Sequence, residues 1–184
     1  GSAVQQAADV ALAGATGKVA GDCRGVQTRE GETQTGYISQ TLTLEGGYSF
    51  TDWTASYPVT QPTTLDAQAG GRVIFATAPI TVASLTAQNG SGDTFGGGIS
   101  TNADLVLRGV TLVSNTVTAN IGSYGGGAVF VDGGNLRIDD SYFENNQAVA
   151  GTEPDADGGA VWVNGALTIS NTQFYNNSAA NDDG

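Results

Sequence analysis

Several residue types are missing or scarce in this chain of 184 residues, and each absence narrows its possible functions. Histidine is absent, which excludes Ser-His-Asp catalysis and any cysteine–histidine metal cluster. Cys23 is the single cysteine, so no disulfide can form within the chain, and we expect it to be a small buried hydrophobic residue. No apolar run approaches the roughly 20 residues of a membrane-spanning helix.

Positive charge is also scarce: the chain has six basic and 18 acidic residues, which gives a net charge of −12. Such a surface repels phosphate backbones, which disfavours nucleic acid as a partner, whereas it suits the capture of Ca²⁺. Only four prolines accompany 28 glycines, without a collagen-like period. This composition indicates a turn-rich folded chain, and the length fits one domain over residues 1–184.

A repeat organises the second half of the chain. Gly126-Gly-Ala-Val129 returns as Gly158-Gly-Ala-Val161, and Phe143-Glu-Asn-Asn146 returns as Phe174-Tyr-Asn-Asn177. A diverged copy lies upstream, in Gly96–Ile99 and Leu112–Asn115. Three sets of positions are each spaced 31 residues apart: Leu105/Leu136/Leu167, Leu107/Ile138/Ile169 and Asn115/Asn146/Asn177. A fixed period of this length is typical of a stacked repeat architecture.

Each repeat contains three short strand candidates, for example residues 128–131, 136–138 and 141–143. Glycine, asparagine and aspartate separate them, and no helical pattern lies between them. The fold class predicted is therefore all-β: a parallel β-helix, or solenoid, with three short strands per coil. Each strand would pair with its equivalent about 4.8 Å away in the next coil, so that equivalent side chains form columns.

The rest of the chain is assigned around this repeat. Residues 3–14 predict a short capping α-helix whose apolar face includes Val4 and Leu12, residues 15–95 form diverged coils, and residues 96–184 form the regular repeats. Gly1-Ser2 resembles the remnant of a cloning site. Gly184 falls where the next Gly-Gly-Ala-Val would begin, so we expect a longer protein and an exposed, self-associating C-terminal end.

The columns predict which side chains face inward. Leu112/Phe143/Phe174 and Ile99/Val129/Val161 are apolar throughout and should be buried. Phe130 and Trp162 alternate with inward residues, so they are expected to stack on the outer surface as a contact for sugar or protein. Asn115, Asn146 and Asn177 predict a structural ladder of hydrogen-bonded amides. Trp53 and Tyr57 are expected to cover the first coils, with an exposed aromatic patch as the alternative.

The paired motifs carry a family resemblance. Gly126–Val129 with Phe143–Asn146, and Gly158–Val161 with Phe174–Asn177, resemble the GGA(I/L/V) and FxxN repeats of the polymorphic outer-membrane proteins of chlamydiae. The upstream half, with Leu44-Glu-Gly-Gly-Tyr48, is similar to the opening coils of secreted bacterial β-helix proteins. The resemblance implies a right-handed, pectin-lyase-like β-helix and an exported surface passenger, often an adhesin or a self-associating module.

Two kinds of chemistry compete with a purely structural role. Polysaccharide lyases and hydrolases of this fold use clustered carboxylates, and the candidates are Asp139, Asp140 and Glu144 beside Arg137, although a solvated turn is the favoured interpretation of these residues. Calcium is the candidate ion, because Glu153, Asp155 and Asp157 lie at i, i+2 spacing in a glycine-flanked loop. The loop lacks the closing glutamate of an EF-hand, so an exposed acidic loop without metal is the favoured interpretation.

The function expected is that of a non-catalytic β-helix module of a secreted or cell-surface bacterial protein, either adhesin-like or structural. Its ligand would be a host-cell or extracellular glycan or protein. The alternative is a β-helix that binds or cleaves carbohydrate. A cleft of convergent carboxylates would favour the alternative, whereas carboxylates confined to turns would favour the scaffold.

Overall fold

The computed structural model describes residues 2–120, 125–152 and 156–180. Within these ranges the chain forms one helix, α1 (Ser2–Val10), and 22 short strands. The first strands are β1 (Ala15–Ala20), β2 (Asp22–Arg24), β3 (Gln27–Arg29), β4 (Glu32–Ile38) and β5 (Leu42–Tyr48). They are followed by β6 (Thr64–Asp66), β7 (Arg72–Ala76), β8 (Ile80–Ala83), β9 (Thr86–Gln88) and β10 (Ser91–Gly92).

The repeats supply the remaining strands, four to each. They are β11 (Ile99–Thr101), β12 (Leu105–Arg108), β13 (Thr111–Val113) and β14 (Thr116–Ala119); β15 (Val129–Asp132), β16 (Leu136–Asp139), β17 (Tyr142–Glu144) and β18 (Gln147–Ala150); β19 (Val161–Asn164), β20 (Leu167–Ser170), β21 (Gln173–Tyr175) and β22 (Ser178–Ala179). Successive strands of one repeat enter different sheets, and equivalent strands of neighbouring repeats lie side by side.

Four sheets result. Sheet I has the order β3-β4-β7-β11-β15-β19, sheet II β1-β5-β8-β12-β16-β20, sheet III β2-β6-β9-β13-β17-β21, and sheet IV β10-β14-β18-β22. The strand pairs are parallel, apart from the antiparallel pair of β3 and β4. The protein is thus mostly β, with parallel sheets of repeated strands, which is compatible with a solenoid.

The predicted count of three strands per coil is wrong, because each regular repeat contains a fourth strand in sheet IV. In the second repeat this strand is β18, which pairs with β14 on one side and β22 on the other. Val117, Ala119 and Ala148 of sheet IV pack with Ala156 in a small apolar cluster of their own. The burial of these small side chains gives the fourth strand a reason to form.

The register confirms the columns of the sequence analysis. Leu105 pairs with Leu136, and Leu136 pairs with Leu167. The column extends upstream, where Ile80 pairs with Leu105 across 25 residues instead of 31. Val106, Arg137 and Thr168 face outward as expected, with Arg137 and Thr168 exposed. The inward residues form one continuous apolar core that runs through the coils.

Helix α1 lies against β4 at one end of this core, with Val4 and Ala8 buried. The buried side chain of Gln5 accepts a hydrogen bond from the Tyr37 N–H at 2.8 Å and donates one to the Tyr37 carbonyl at 2.9 Å. One amide side chain therefore replaces a neighbouring strand at this point of the sheet edge. The helix ends at Val10, earlier than predicted, and Leu12 is 81% exposed because it lies beyond the helix.

The apolar columns are less covered in the last described coil. Leu136, Ile138 and Phe143 are at most 1% exposed, whereas Leu167, Ile169 and Phe174 in the same columns are 43–44% exposed.

In the described ranges, no helix has both the length and the apolar character needed to cross a membrane.

Candidate functional site

Close backbone packing explains the paired glycines of the repeated motif. Gly126 has a φ of +75°, and a Cβ at this position would lie 2.2 Å from the Val129 carbonyl oxygen. A Cβ on Gly127 would lie 2.3 Å from the Gly159 carbonyl oxygen in the next repeat. Both contacts are much shorter than a carbon–oxygen approach allows, so only glycine fits. The motif is therefore required by the fold and is not by itself a binding site.

The asparagine ladder forms as predicted. The Asn115 side-chain N–H donates to Asn146 Oδ1 at 3.0 Å, and the Asn146 side-chain N–H donates to Asn177 Oδ1 at 2.9 Å. Each amide also serves the backbone: the Asn115 backbone N–H donates to Asn146 Oδ1 at 3.1 Å, and Asn146 Nδ2 donates to the Leu112 carbonyl at 2.9 Å. Asn115 and Asn146 are fully buried, so the ladder is a structural device.

Phe130 and Trp162 stack as predicted, but Phe130 is not exposed. The two residues are paired in register, and their ring centroids lie 4.6 Å apart at an interplanar angle of 11°. On its other side Phe130 contacts the Phe95 ring, with centroids 4.7 Å apart, and only 5% of Phe130 is exposed. The expectation that both rings form an outer contact surface is therefore wrong for Phe130, whereas Trp162 is partly exposed.

The candidate catalytic carboxylates are engaged in contacts along the turns. Arg137 Nε donates to Asp139 Oδ2 at 2.7 Å, and the Ser170 hydroxyl donates to Asp139 Oδ1 at 2.7 Å. The hydrogen bond from Arg137, helped by that from Ser170, lowers the pKa of the Asp139 carboxyl. Asp140 is exposed, and its Oδ1 accepts from Asn171 Nδ2 at 2.6 Å. Asp139 and Asp140 thus each bind a polar side chain of the next repeat.

Other turns repeat this arrangement. Asp104 Oδ1 accepts from the Asn135 backbone and side chain at 2.8 and 3.1 Å, and Asp132 Oδ1 accepts from Asn164 Nδ2 at 3.1 Å. Asp104 and Asp132 therefore join neighbouring coils through neutral donors.

Of the three predicted calcium ligands, Asp157 lies among the described residues. Glu153 and Asp155 lie outside the described residues, while Asp157 is exposed and its carbonyl oxygen accepts from the Gly126 N–H at 3.2 Å. Among residues 2–120, 125–152 and 156–180, no three acidic, cysteine or histidine side chains form a metal-binding group. The calcium site stays a prediction.

Sequence reasoning did not find a cluster around Arg72, whose side chain is only 7% exposed. Its guanidinium forms an ion pair with Glu32, lies 3.5 Å from Asp93, and donates through Nε to the Phe95 carbonyl at 2.8 Å. These three charged residues line a cleft of about 290 Å³. The signal in the sequence is a lone cation between two glycines and Val73-Ile-Phe75, and nothing in it indicates the distant carboxylates.

The aromatic stretch after β5 is exposed, contrary to the expectation that it covers the first coils. Trp53 is 42% exposed, Tyr57 is 55% exposed and Val59 is 93% exposed. Phe50, which the sequence analysis did not single out, is 76% exposed. The alternative of an exposed aromatic patch is thus the observed one.

The chain matches none of the protein-family models, curated proteins or solved structures with which it was compared.

Proposed function

We propose that this chain is a right-handed parallel β-helix module of a secreted or cell-surface bacterial protein, with a non-catalytic, adhesive or structural role. The observation that carries the proposal is the placement of acidic side chains in turns. Asp104, Asp132 and Asp140 each accept a hydrogen bond from a neutral side chain one repeat onward. Carboxylates used in this way hold coils together and are not free for acid–base work.

The resemblance to chlamydial polymorphic outer-membrane repeats supports a location at the cell surface. The scaffold role is supported by the fact that both repeated motifs have a structural explanation. The paired glycines pack closely against backbone atoms, and Asn146 hydrogen-bonds within the asparagine ladder. A host-cell or extracellular glycan or protein would be the partner. The outer faces and loops of this strongly acidic chain would meet that partner.

Surface binding and turnover assays, run in parallel, test the proposal. The purified protein is applied to immobilised polysaccharides, to extracellular-matrix proteins and to cultured epithelial cells. The same polysaccharides in solution are assayed for new reducing ends and for unsaturated products. We expect saturable binding to at least one surface without product formation. Release of product would contradict the proposal, and a failure to bind any of the surfaces would contradict its adhesive form.

The cleft at Arg72 favours a second candidate, carbohydrate cleavage, because two carboxylates converge there on one guanidinium. Three acceptors hold the guanidinium, so Glu32 and Asp93 would have to perform the acid–base steps. Loss of any measured turnover in both Glu32→Gln and Asp93→Asn would assign the reaction to this cleft. Turnover unchanged in both variants would exclude it.

A further inference from the structure

A cleft lies between helix α1 and the first coil, at the end of the molecule opposite to β22. It is lined by the helix residues Ala3, Val4 and Ala7, by residues 18–20 and 22–24, and by Phe50 and Trp53. Its volume of about 450 Å³ falls in the range of small-molecule sites, roughly 300–1,000 Å³. We propose that this cleft binds a neutral pyranose ring of a glycan, which deepens the adhesive role proposed above and rests on it.

Each of the two aromatic side chains of the cleft has a contact that supports its ring. The Trp53 ring stacks on the buried Tyr48 ring, with centroids 6.0 Å apart and an interplanar angle of 19°. The Phe50 ring lies against the backbone of Gly21, where an added Cβ would be 2.9 Å from the ring. Despite this support, 42% of Trp53 and 76% of Phe50 stay exposed. Fixed, exposed aromatic faces suit the apolar C–H faces of a sugar ring.

A tight turn fixes the positions of these rings. Ser49 and Asp52 exchange backbone hydrogen bonds at 3.3 Å, and the Thr54 N–H donates to Asp52 Oδ1 at 2.8 Å. Lys18 is a residue of β1, and its side-chain ammonium donates a hydrogen bond to the Trp53 carbonyl at 2.6 Å. The loop is thus tied to the sheet by its backbone, which reduces the ordering cost of binding a ligand.

Polar groups at the cleft complete the recognition of hydroxyl groups. Lys18 has further N–H donors beyond the one that Trp53 uses. Asp22 and Arg24 pair at 3.1 Å, and both side chains are more than half exposed, so a planar acceptor and a planar donor lie side by side. Such a pair can hydrogen-bond adjacent hydroxyls of one ring.

The net charge of the whole chain favours a neutral glycan over an acidic one. The Asp22–Arg24 pair is neutral in sum, and burial raises the pKa of the Cys23 thiol, which keeps that wall uncharged near pH 7. Lys18 leaves the lining with one positive charge, but its ammonium already donates to the Trp53 carbonyl and lies 4.9 Å from the centre of the Tyr48 ring. The chain as a whole carries a net charge of −12. A uronic acid polymer would be repelled by that field, whereas a neutral glycan would not.

Fluorescence isolates this site, because the chain has only two tryptophans. The variant Trp162→Phe keeps an aromatic ring at position 162 to stack on Phe130, and it leaves Trp53 as the single tryptophan of the chain. This variant is titrated with hexasaccharides of glucose, mannose and galactose, and with oligogalacturonate as the acidic comparison. We expect a saturable change in Trp53 emission with at least one neutral hexasaccharide and a weaker response to oligogalacturonate. No saturable response to any neutral probe, or tighter binding of oligogalacturonate, would overturn the proposal.

Calorimetry with the responsive sugar then compares variants of the otherwise unchanged chain. Phe50→Ala and Trp53→Ala should each weaken binding by about tenfold or more, as for aromatic anchors. Val59→Ala removes an exposed apolar side chain of the same loop outside the cleft lining and should leave the affinity unchanged. Equal affinity in all three variants would place the sugar elsewhere. That result would leave the scaffold proposal intact, whereas product formation would refute the scaffold proposal without removing the binding site.

Discussion

Phe143 and Phe174 occupy the same column, one repeat apart, with ring centroids 4.7 Å apart, yet Phe143 is fully buried and Phe174 is 43% exposed. The same side chain in the same column therefore makes a different contribution to stability in each repeat. Burial depends on whether a further coil covers the ring, and the sequence of the repeat itself does not contain that information.

This difference predicts unequal effects of truncation. Phe143→Ala should lower the free energy of unfolding by about 3–5 kcal/mol, as for other buried aromatic residues. Phe174→Ala should cost only about 1–2 kcal/mol, because less of its apolar surface leaves water on folding. Urea unfolding of both variants beside the wild type measures the two losses. Equal losses would mean that Phe174 is covered in solution as completely as Phe143.

The ladder predicts a second loss of stability. Asn146→Ala would leave the Asn115 backbone N–H and the Leu112 carbonyl buried without their side-chain partner. We expect a cost of at least about 2 kcal/mol, the penalty for unsatisfied buried polar groups. Asn145→Gly is the matched control, because Asn145 is exposed and its φ of +54° suits glycine. A control that unfolds as readily as Asn146→Ala would refute the special role of the ladder.

The ion pair of Arg137 and Asp139 predicts that the stability of the folded protein depends on pH in the acidic range. Since the pKa of Asp139 is lower in the folded protein than in the unfolded chain, its stabilising contribution is complete above about pH 4, the unfolded value, and is lost as the pH falls through the folded value. Asp139→Asn should therefore be less stable than the wild type near pH 6 and converge with it near pH 2.

Chemical unfolding at a series of pH values from 6 down to 2 follows this convergence. Arg137→Met removes the partner and should flatten the same part of the pH profile. A constant difference between the wild type and Asp139→Asn at every pH would show that the ion pair does not set the pKa.

The exposed end of the apolar columns predicts self-association. Leu167, Ile169 and Phe174 are each more than two-fifths exposed, and strands β19 to β22 have no neighbour on one side among the described residues. Helix α1 covers the opposite end, so two copies would join through equivalent surfaces and stop at a dimer. Light scattering over a concentration series should show the dimer, and Ile169→Lys should abolish it. A wild type that stays monomeric at the highest concentration would contradict the prediction.

The sequence predicted those features in which one side chain recurs at a fixed spacing. The columns of Leu136 and Asn146 are of this kind, because each side chain in these columns packs against, or hydrogen-bonds to, the same kind of side chain in the neighbouring repeat. The strand Gln147–Ala150 was not predicted, since its small residues differ from Thr116–Ala119 and from Ser178-Ala179. Its burial comes from contact with Ala156, which no periodic pattern indicates.

The surfaces were harder to predict than the core. Phe130 alternates correctly with its neighbours, but its cover is the Phe95 ring, which precedes the strand of a different repeat and has no equivalent in the pattern. The clefts beside Trp53 and Arg72 bring together residues from the irregular first half of the chain. There the lengths of the loops, and not a sequence period, determine which side chains come into contact. Leu12 was placed on a helix face that ends before it.

The asparagine ladder also fixes how the length of the molecule can change. Removal of residues 136–166, one period of 31, would join Asn135 directly to Leu167 and put β20 where β16 now pairs with β12. Asn177 would then take the place of Asn146 beneath Asn115, and no column would be offset. A deletion that removes part of a strand would instead shift the columns that follow it. The protein can therefore be shortened or extended by duplication and loss of whole repeats, in steps of about 4.8 Å, without redesign of its interior.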